Sequence, residues 1–196
     1  MDADRLTLVF ACATVAEARA GKRAGLRTAL IGLGGANGLP DGELVSFGLA
    51  GGLDGLPSGA ILDATRVVDE DGGVLWEGEG LGVPGGRPAT LLASDRVIDD
   101  PGERRRLFER TGADAVDLES GTLARSGRLR GCLRVVSDTP ERTLHGICKA
   151  VTPQGRYDWP GFVAAFLRSP RGFARAAADG KRALAKLTEA ARGAAA

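Results

Sequence analysis

Apolar residues along the chain fall into short blocks separated by glycine, proline or acidic residues, the pattern of strands joined by tight turns. Thr7–Ala13 reads as a buried first strand and Thr14–Arg23 as a helix that Gly25 ends. Arg27–Leu33, Leu44–Leu49, Ala60–Val68 and Ala89–Ala93 read as further strands. Asp114–Asp117 and Leu133–Val136 are predicted as short strands joined by a helix over Ser120–Arg128, a βαβ unit that would bring both strand ends to one edge of a parallel sheet. Ligands bind at that edge in open α/β folds. After Thr139 the pattern loosens until Trp159. Trp159, Phe162, Val163, Phe166 and Leu167 then recur at the spacing of an amphipathic helix, which Pro170 interrupts, and an alanine-rich helix is predicted from there to about Ala191.

Composition narrows the class. The 196 residues fit one domain, spanning 1–196 with a helical C-terminal segment over 159–196, and bury roughly 70% of the surface of the unfolded chain. Thirty glycines, about twice the usual ~7% share, suit a sheet with many tight turns and backbone-lined pockets. With 26 basic and 25 acidic residues the net charge is +1, so nothing in the balance points to nucleic acid as a partner. Cys12, Cys132 and Cys148 are an odd number without metal-ligand spacing, and His145 is the single histidine; this argues for a reducing compartment and against a zinc site. The opening Met-Asp-Ala-Asp-Arg is acidic and lacks an apolar core, and no run reaches the ~18 apolar residues of a membrane span, so a cytoplasmic protein without signal peptide or cofactor is expected.

Two carboxylates stand at the ends of short apolar runs, Glu119 after Asp117-Leu118 and Asp138 after Val136-Ser137. Glu119 is equally suited to the first turn of a helix, and Asp138 to a turn before Thr139-Pro140. Gly51 and Gly52 follow a predicted strand, where adjacent glycines let a ligand approach the backbone or simply form a tight turn. Thr14-Val-Ala-Glu17 is a capping box. Gly32-Leu-Gly-Gly-Ala-Asn-Gly38 imitates a dinucleotide-binding loop, but Asn37 replaces the third glycine and a Pro-Asp turn replaces the helix whose N-terminus holds phosphate. Glu103–Thr111 reads as a surface helix whose Arg104-Arg-Arg106 run is a solvated face.

Ala115-Val-Asp-Leu-Glu-Ser120 and Val135-Val-Ser-Asp138, with the earlier Ser46-Phe-Gly-Leu-Ala-Gly-Gly-Leu-Asp54 and Pro57-Ser-Gly-Ala-Ile-Leu62, resemble the nucleoside phosphorylase and nucleosidase superfamily, in that family's order between about Thr7 and Thr139. The resemblance implies an α/β fold of three layers, α/β/α, around a mixed, mainly parallel central sheet. It implies that Glu119 holds the ribose 2′- and 3′-hydroxyls, that Leu118 lies under the sugar, and that Gly51 and Gly52 line the ribose end of the pocket. Asp138, after Ser137, would protonate the purine at N7, which makes the base a tolerable leaving group. Glu17 would orient the attacking water. The places where phosphorylases hold phosphate are Glu17, Ser46 and Leu49 here, so water is the expected nucleophile, with Arg134 or an arginine from a neighbouring subunit able to overturn that. The base-stacking aromatic of the family is replaced by Val97, which leaves base recognition to the backbone of Val97 and Ile98. The helix that follows the Gly-rich loop in the family is nearly absent, leaving one wall open.

Val151-Thr-Pro-Gln-Gly-Arg-Tyr-Asp-Trp159 and the segment Phe162–Pro170 are similar to the hopanoid-associated phosphorylase branch, whose members release adenine from adenosylhopane. The resemblance thus implies a purine nucleosidase acting on a 5′-substituted adenosine, with a methylthioadenosine/adenosylhomocysteine nucleosidase and a non-catalytic nucleoside-binding relative as alternatives. A homodimer or larger homo-oligomer is implied as well. From Arg168 onward seven residues are basic and two acidic, which fits either a C-terminal helix with a solvated basic face or one that meets anionic lipid.

Overall fold

The computed structural model describes residues 8–53, 55–141 and 151–195; Asp54, His145 and Cys148 lie outside them. Among the described residues fourteen segments of regular structure follow one another: β1 (Leu8–Cys12), α1 (Val15–Arg23), β2 (Thr28–Leu30), a 3-10 turn (Leu33–Gly35), β3 (Glu43–Gly52), β4 (Ile61–Val68), β5 (Val74–Glu77), β6 (Arg87–Ala93), α2 (Pro101–Thr111), β7 (Ala115–Asp117), α3 (Ser120–Arg125), β8 (Leu129–Asp138), α4 (Trp159–Arg168) and α5 (Pro170–Ala195). The Thr14 capping box forms as its spacing predicts, with the Thr14 hydroxyl accepting from the Glu17 N–H and the Glu17 carboxylate accepting from the Thr14 N–H. Asp100 caps α2 by accepting from the Glu103 N–H, with Pro101 in the first turn.

The sheet is mixed and mainly parallel, and part of it closes on itself. β3 pairs with β8 in parallel, β8 with β4 antiparallel, β4 with β6 and β6 with β7 in parallel, and β7 returns antiparallel to β3 at Gly51 and Gly52. This ring of five strands is extended by β1 and β2 beside the first half of β3 and by β5 beside β4. Alternation assigns each strand face a core. Leu44, Ala50, Cys132 and Val136 belong with Leu62, Ala64 and Leu91 in a cluster that α3 covers through Leu123 and Ala124. Val45, Phe47, Leu133 and Val135 pack beneath Ala183, Leu187, Ala190 and Ala191 of α5. A third cluster seats α2 through Leu107 against Leu92, Ile98 and Val116.

Four expectations change. β7 and β8 are not adjacent parallel strands: both pair with β3, one antiparallel and one parallel, so the segment is no βαβ unit. Gly51 and Gly52 are the last residues of β3 and not a turn after it, because both edges of the strand find partners there. Arg104 is not on a solvated face: it stands three residues before Leu107 on the buried side of α2, with 1% of its surface exposed. Of the segment expected to be loose between Thr139 and Trp159, residues 142–150 lie outside the described residues, and 151–158 is ordered. Val151 bridges Tyr157, and this hairpin sits on the β1–α1 turn and the Gly-rich loop through Val15 N–H to Gly155 O (3.0 Å) and Leu33 N–H to Pro153 O (2.8 Å). A Cβ at Gly155, where φ is +77°, would run into the Ala13 carbonyl.

Candidate active site

Along β3 and β8 the residues directed at the first core are apolar at the ends and polar between. Ser46 and Gly48 lie between Leu44 and Ala50, and Arg134 between Cys132 and Val136. The Arg134 guanidinium is therefore fully buried, and carboxylates surround it. It contacts Asp117 and donates to Glu119 Oε2 (3.3 Å), to Ser46 Oγ (2.6 Å) and to the Leu49 carbonyl (3.3 Å). Glu17, from α1, approaches the same guanidinium; a Cβ on Gly48 would collide with its carboxylate and stand 2.6 Å from Arg134 Nη1. Neighbouring carboxylates hold Arg134 in its charged form.

Glu119 follows β7 at the start of α3, 3% exposed, with Oε1 accepting from the Gly34 N–H (3.2 Å). Burial pushes its carboxyl up to about 8; Arg134 opposes the shift, and Asp117 and Glu17 add to it. Three acids around one cation cannot all ionise cheaply. The Gly-rich loop thus forms a wall over Glu119, with Thr122 Oγ1 donating to Gly34 O (3.1 Å), and leads into β3, with no helix between them among the described residues.

Asp138 ends β8 and is 4% exposed. Its Oδ1 accepts from Ser137 Oγ (2.6 Å), and its Oδ2 pairs with the buried Arg104 guanidinium. Arg104 also donates from Nε to Ile98 O (2.8 Å) and from Nη1 to Gly52 O (3.1 Å). Burial raises the Asp138 carboxyl, against the pull of Arg104 and Ser137. Sequence reasoning missed Arg104; its place three residues before Leu107 was the available signal.

A cavity of about 180 Å³ brings together Asp138, Ser137, Glu119, Leu118, Gly51, Val97 and Ile98, with Leu33, Ala50 and Val116 as further apolar wall. Gly52 lies behind it, buried, its carbonyl engaged by Arg104. Glu17 lies behind Thr14 and Leu49, which do line it; Oε1 accepts from the Leu49 N–H (2.8 Å) and Oε2 from Thr14 Oγ1 (2.9 Å). The arginines at the cavity face carboxylates of their own, Arg104 on Asp138 and Arg96 on Glu103 and Glu70. A second, apolar cavity of about 420 Å³ adjoins the first along Thr14, Leu49, Ser137, Asp138 and Val151, and continues past Tyr157 and Phe162 under α5. Val151 and its hairpin close part of the wall that the sequence left open. Chemically, the first cavity offers two buried carboxyl groups facing the same space, each able to accept hydrogen bonds when ionised and to donate one when protonated.

No protein-family model matches the chain, and no curated protein matches it. Solved structures are similar in fold. They include the 5′-methylthioadenosine/S-adenosylhomocysteine nucleosidase from Helicobacter pylori, with a TM-score of 0.57 and 12% identity over 93% of this chain and 97% of that one. The Arabidopsis thaliana 5′-methylthioadenosine nucleosidase matches with 0.53 and 16% over 95% and 96%. A futalosine hydrolase mutant of Helicobacter pylori matches with 0.54 and 14% over 66% and 89%. The mixed α/β architecture is thus that of these proteins across most of the chain.

Proposed function

We propose that this protein is a purine nucleosidase that cleaves the N-glycosidic bond of a 5′-substituted adenosine and releases adenine, with adenosylhopane as the substrate. The observation that carries the reading is the buried Asp138 facing the same cavity as Glu119, with an apolar cavity next to it. Asp138, whose carboxyl burial raises, gives its proton to N7 as the C1′–N9 bond lengthens, so that the bonding electron pair leaves with the base as neutral adenine while positive charge builds on the sugar. Glu119 holds the ribose hydroxyls, with Leu118 and Gly51 against the sugar. Water reached past Thr14 is oriented by Glu17, which Leu49 and Thr14 hold in place; it adds to C1′, forming the C1′–O bond as C1′–N9 breaks, and its proton passes to the Glu17 carboxylate. Ile98 presents its backbone to the base, though Arg104 already takes one lone pair of its carbonyl. The engagement of Arg104 and Arg134 with carboxylates disfavours a phosphate dianion as nucleophile. The apolar cavity beside Val151 accommodates a large 5′ group.

One observation favours a smaller substrate: the first cavity, at about 180 Å³, is compact, and the fold is shared with methylthioadenosine nucleosidases. The test is adenine released from adenosylhopane and from methylthioadenosine, first without phosphate and then with it. Release from adenosylhopane without phosphate is the expected result. A strict phosphate requirement overturns hydrolysis, and turnover of methylthioadenosine alone overturns the lipid substrate. No release from either, with measurable binding, assigns the chain to non-catalytic nucleoside binding.

A further inference from the structure

Among the described residues the most exposed apolar surface is on α4. Trp159 is 75% exposed, Leu167 72%, Val163 55% and Phe166 48%, and Tyr157, just ahead of the helix, 51%. At 100° per residue Trp159, Val163, Phe166 and Leu167 share one face of about a third of the helix circumference. Away from that face Ala165 is buried and Phe162 meets Phe173 at the start of α5 with ring centroids 5.5 Å apart, while the half-exposed Phe166 touches the same ring at 5.9 Å from the margin of the face. Four large apolar side chains held together in water are an interaction surface and not scattered exposure.

We propose that this face of α4 docks on an anionic lipid bilayer, with Trp159, Val163, Phe166 and Leu167 in the boundary between headgroups and acyl chains. The charge around the helix selects this occupant. Between residues 151 and 178 the basic residues are Arg156, Arg168, Arg171 and Arg175, all exposed, and the one acid is Asp158. A second copy of the chain would bring like charges together, whereas anionic headgroups neutralise them. Tryptophan and tyrosine at the rim suit a surface that is apolar on one side and wet on the other. No helix among the described residues is long and apolar enough to cross a membrane, so α4 lies on the bilayer. α5 packs Ala183, Leu187, Ala190 and Ala191 on the sheet, so the apolar surface of the docking face is on α4, while Arg171 and Arg175 at the start of α5 add basic charge beside it. Tyr157 and Phe162 wall the second cavity, so docking sets that cavity beside the lipid surface. The docking stands on the α4 surface and does not depend on the substrate reading.

The test is cosedimentation of the full chain, with no nucleoside present, on vesicles of phosphatidylcholine alone and of phosphatidylcholine mixed with phosphatidylglycerol. The chain is expected to pellet with the mixed vesicles and to be released by added salt. Trp159→Ala with Leu167→Ala, exposed positions that leave the fold intact by circular dichroism, should weaken the partition by about tenfold or more. Arg168→Glu with Arg171→Glu and Arg175→Glu should remove the preference for phosphatidylglycerol. Failure to pellet, or pelleting unchanged by the Trp159/Leu167 pair, overturns the proposal. So does a wild-type dimer in analytical ultracentrifugation that this pair turns into monomer while vesicle binding stays absent.

Discussion

A buried carboxyl is useful as an acid only if its proton is held at working pH, and Asp138 is placed between opposing influences. Burial raises it, while Arg104 and Ser137 stabilise the ionised form and aim it. Asp138→Asn is expected to cut adenine release by about 10²–10⁴-fold, since the amide keeps the shape and loses the proton; near-wild-type turnover would remove it from the reaction. Arg104→Leu leaves the carboxyl buried and unpaired, so urea unfolding should show a loss of about 3–5 kcal/mol, much of it recovered when Asp138→Asn is added. In the single variant the alkaline limb of the pH–rate profile should move upward, because the cation that favoured ionisation is gone. The residue types at Glu119 and Asp138 were legible because acids at the ends of apolar runs are unusual. The partner of Asp138 was hidden in a run of three arginines where only helical phase separates the buried one from the two exposed.

At the scale of elements, β3 decides the site. Its apolar positions specify a strand, but the interruption by Ser46 and Gly48 has no explanation until Arg134 on β8 and Glu17 on α1 are brought against them. Gly48→Ala would set a methyl group into the Glu17 carboxylate and the Arg134 guanidinium. It should destabilise the fold by about 1–3 kcal/mol in urea unfolding and lower adenine release as well. The lengths of β3 and β8 exceeded the predicted Leu44–Leu49 and Leu133–Val136 because hydrogen bonds from neighbouring strands extend them through glycine and charged residues that lack strand propensity of their own. β5 escaped notice for the same reason: four residues, half exposed, are a strand only because β4 lies beside them.

The whole molecule carries its polar cluster inside a closed ring of strands, and its stability must follow the protonation of that cluster. Glu119 binds a proton in the folded state up to about pH 8 but gives it up near pH 4.5 when unfolded. The folded state therefore holds more protons across that window, and stability is highest at its acidic end and declines as pH rises toward 8. Asp138, also raised, acts in the same direction. Melting temperature is expected to fall between pH 5 and 8, and Glu119→Gln should flatten that slope; a slope unchanged by the substitution would place the titrating group elsewhere. The sequence by itself determined the alternation of strands and helices, the capping box at Thr14, the amphipathic stripe of α4 and the two acids of the cavity, because each depends on spacing within a few residues. Closure of the ring, the opposite directions of β7 and β8, the burial of Arg104 and Arg134 and the hairpin over the cavity were decided only by the tertiary structure. Each is a pairing between residues far apart in the chain, and neither partner's local pattern holds the energy of the contact.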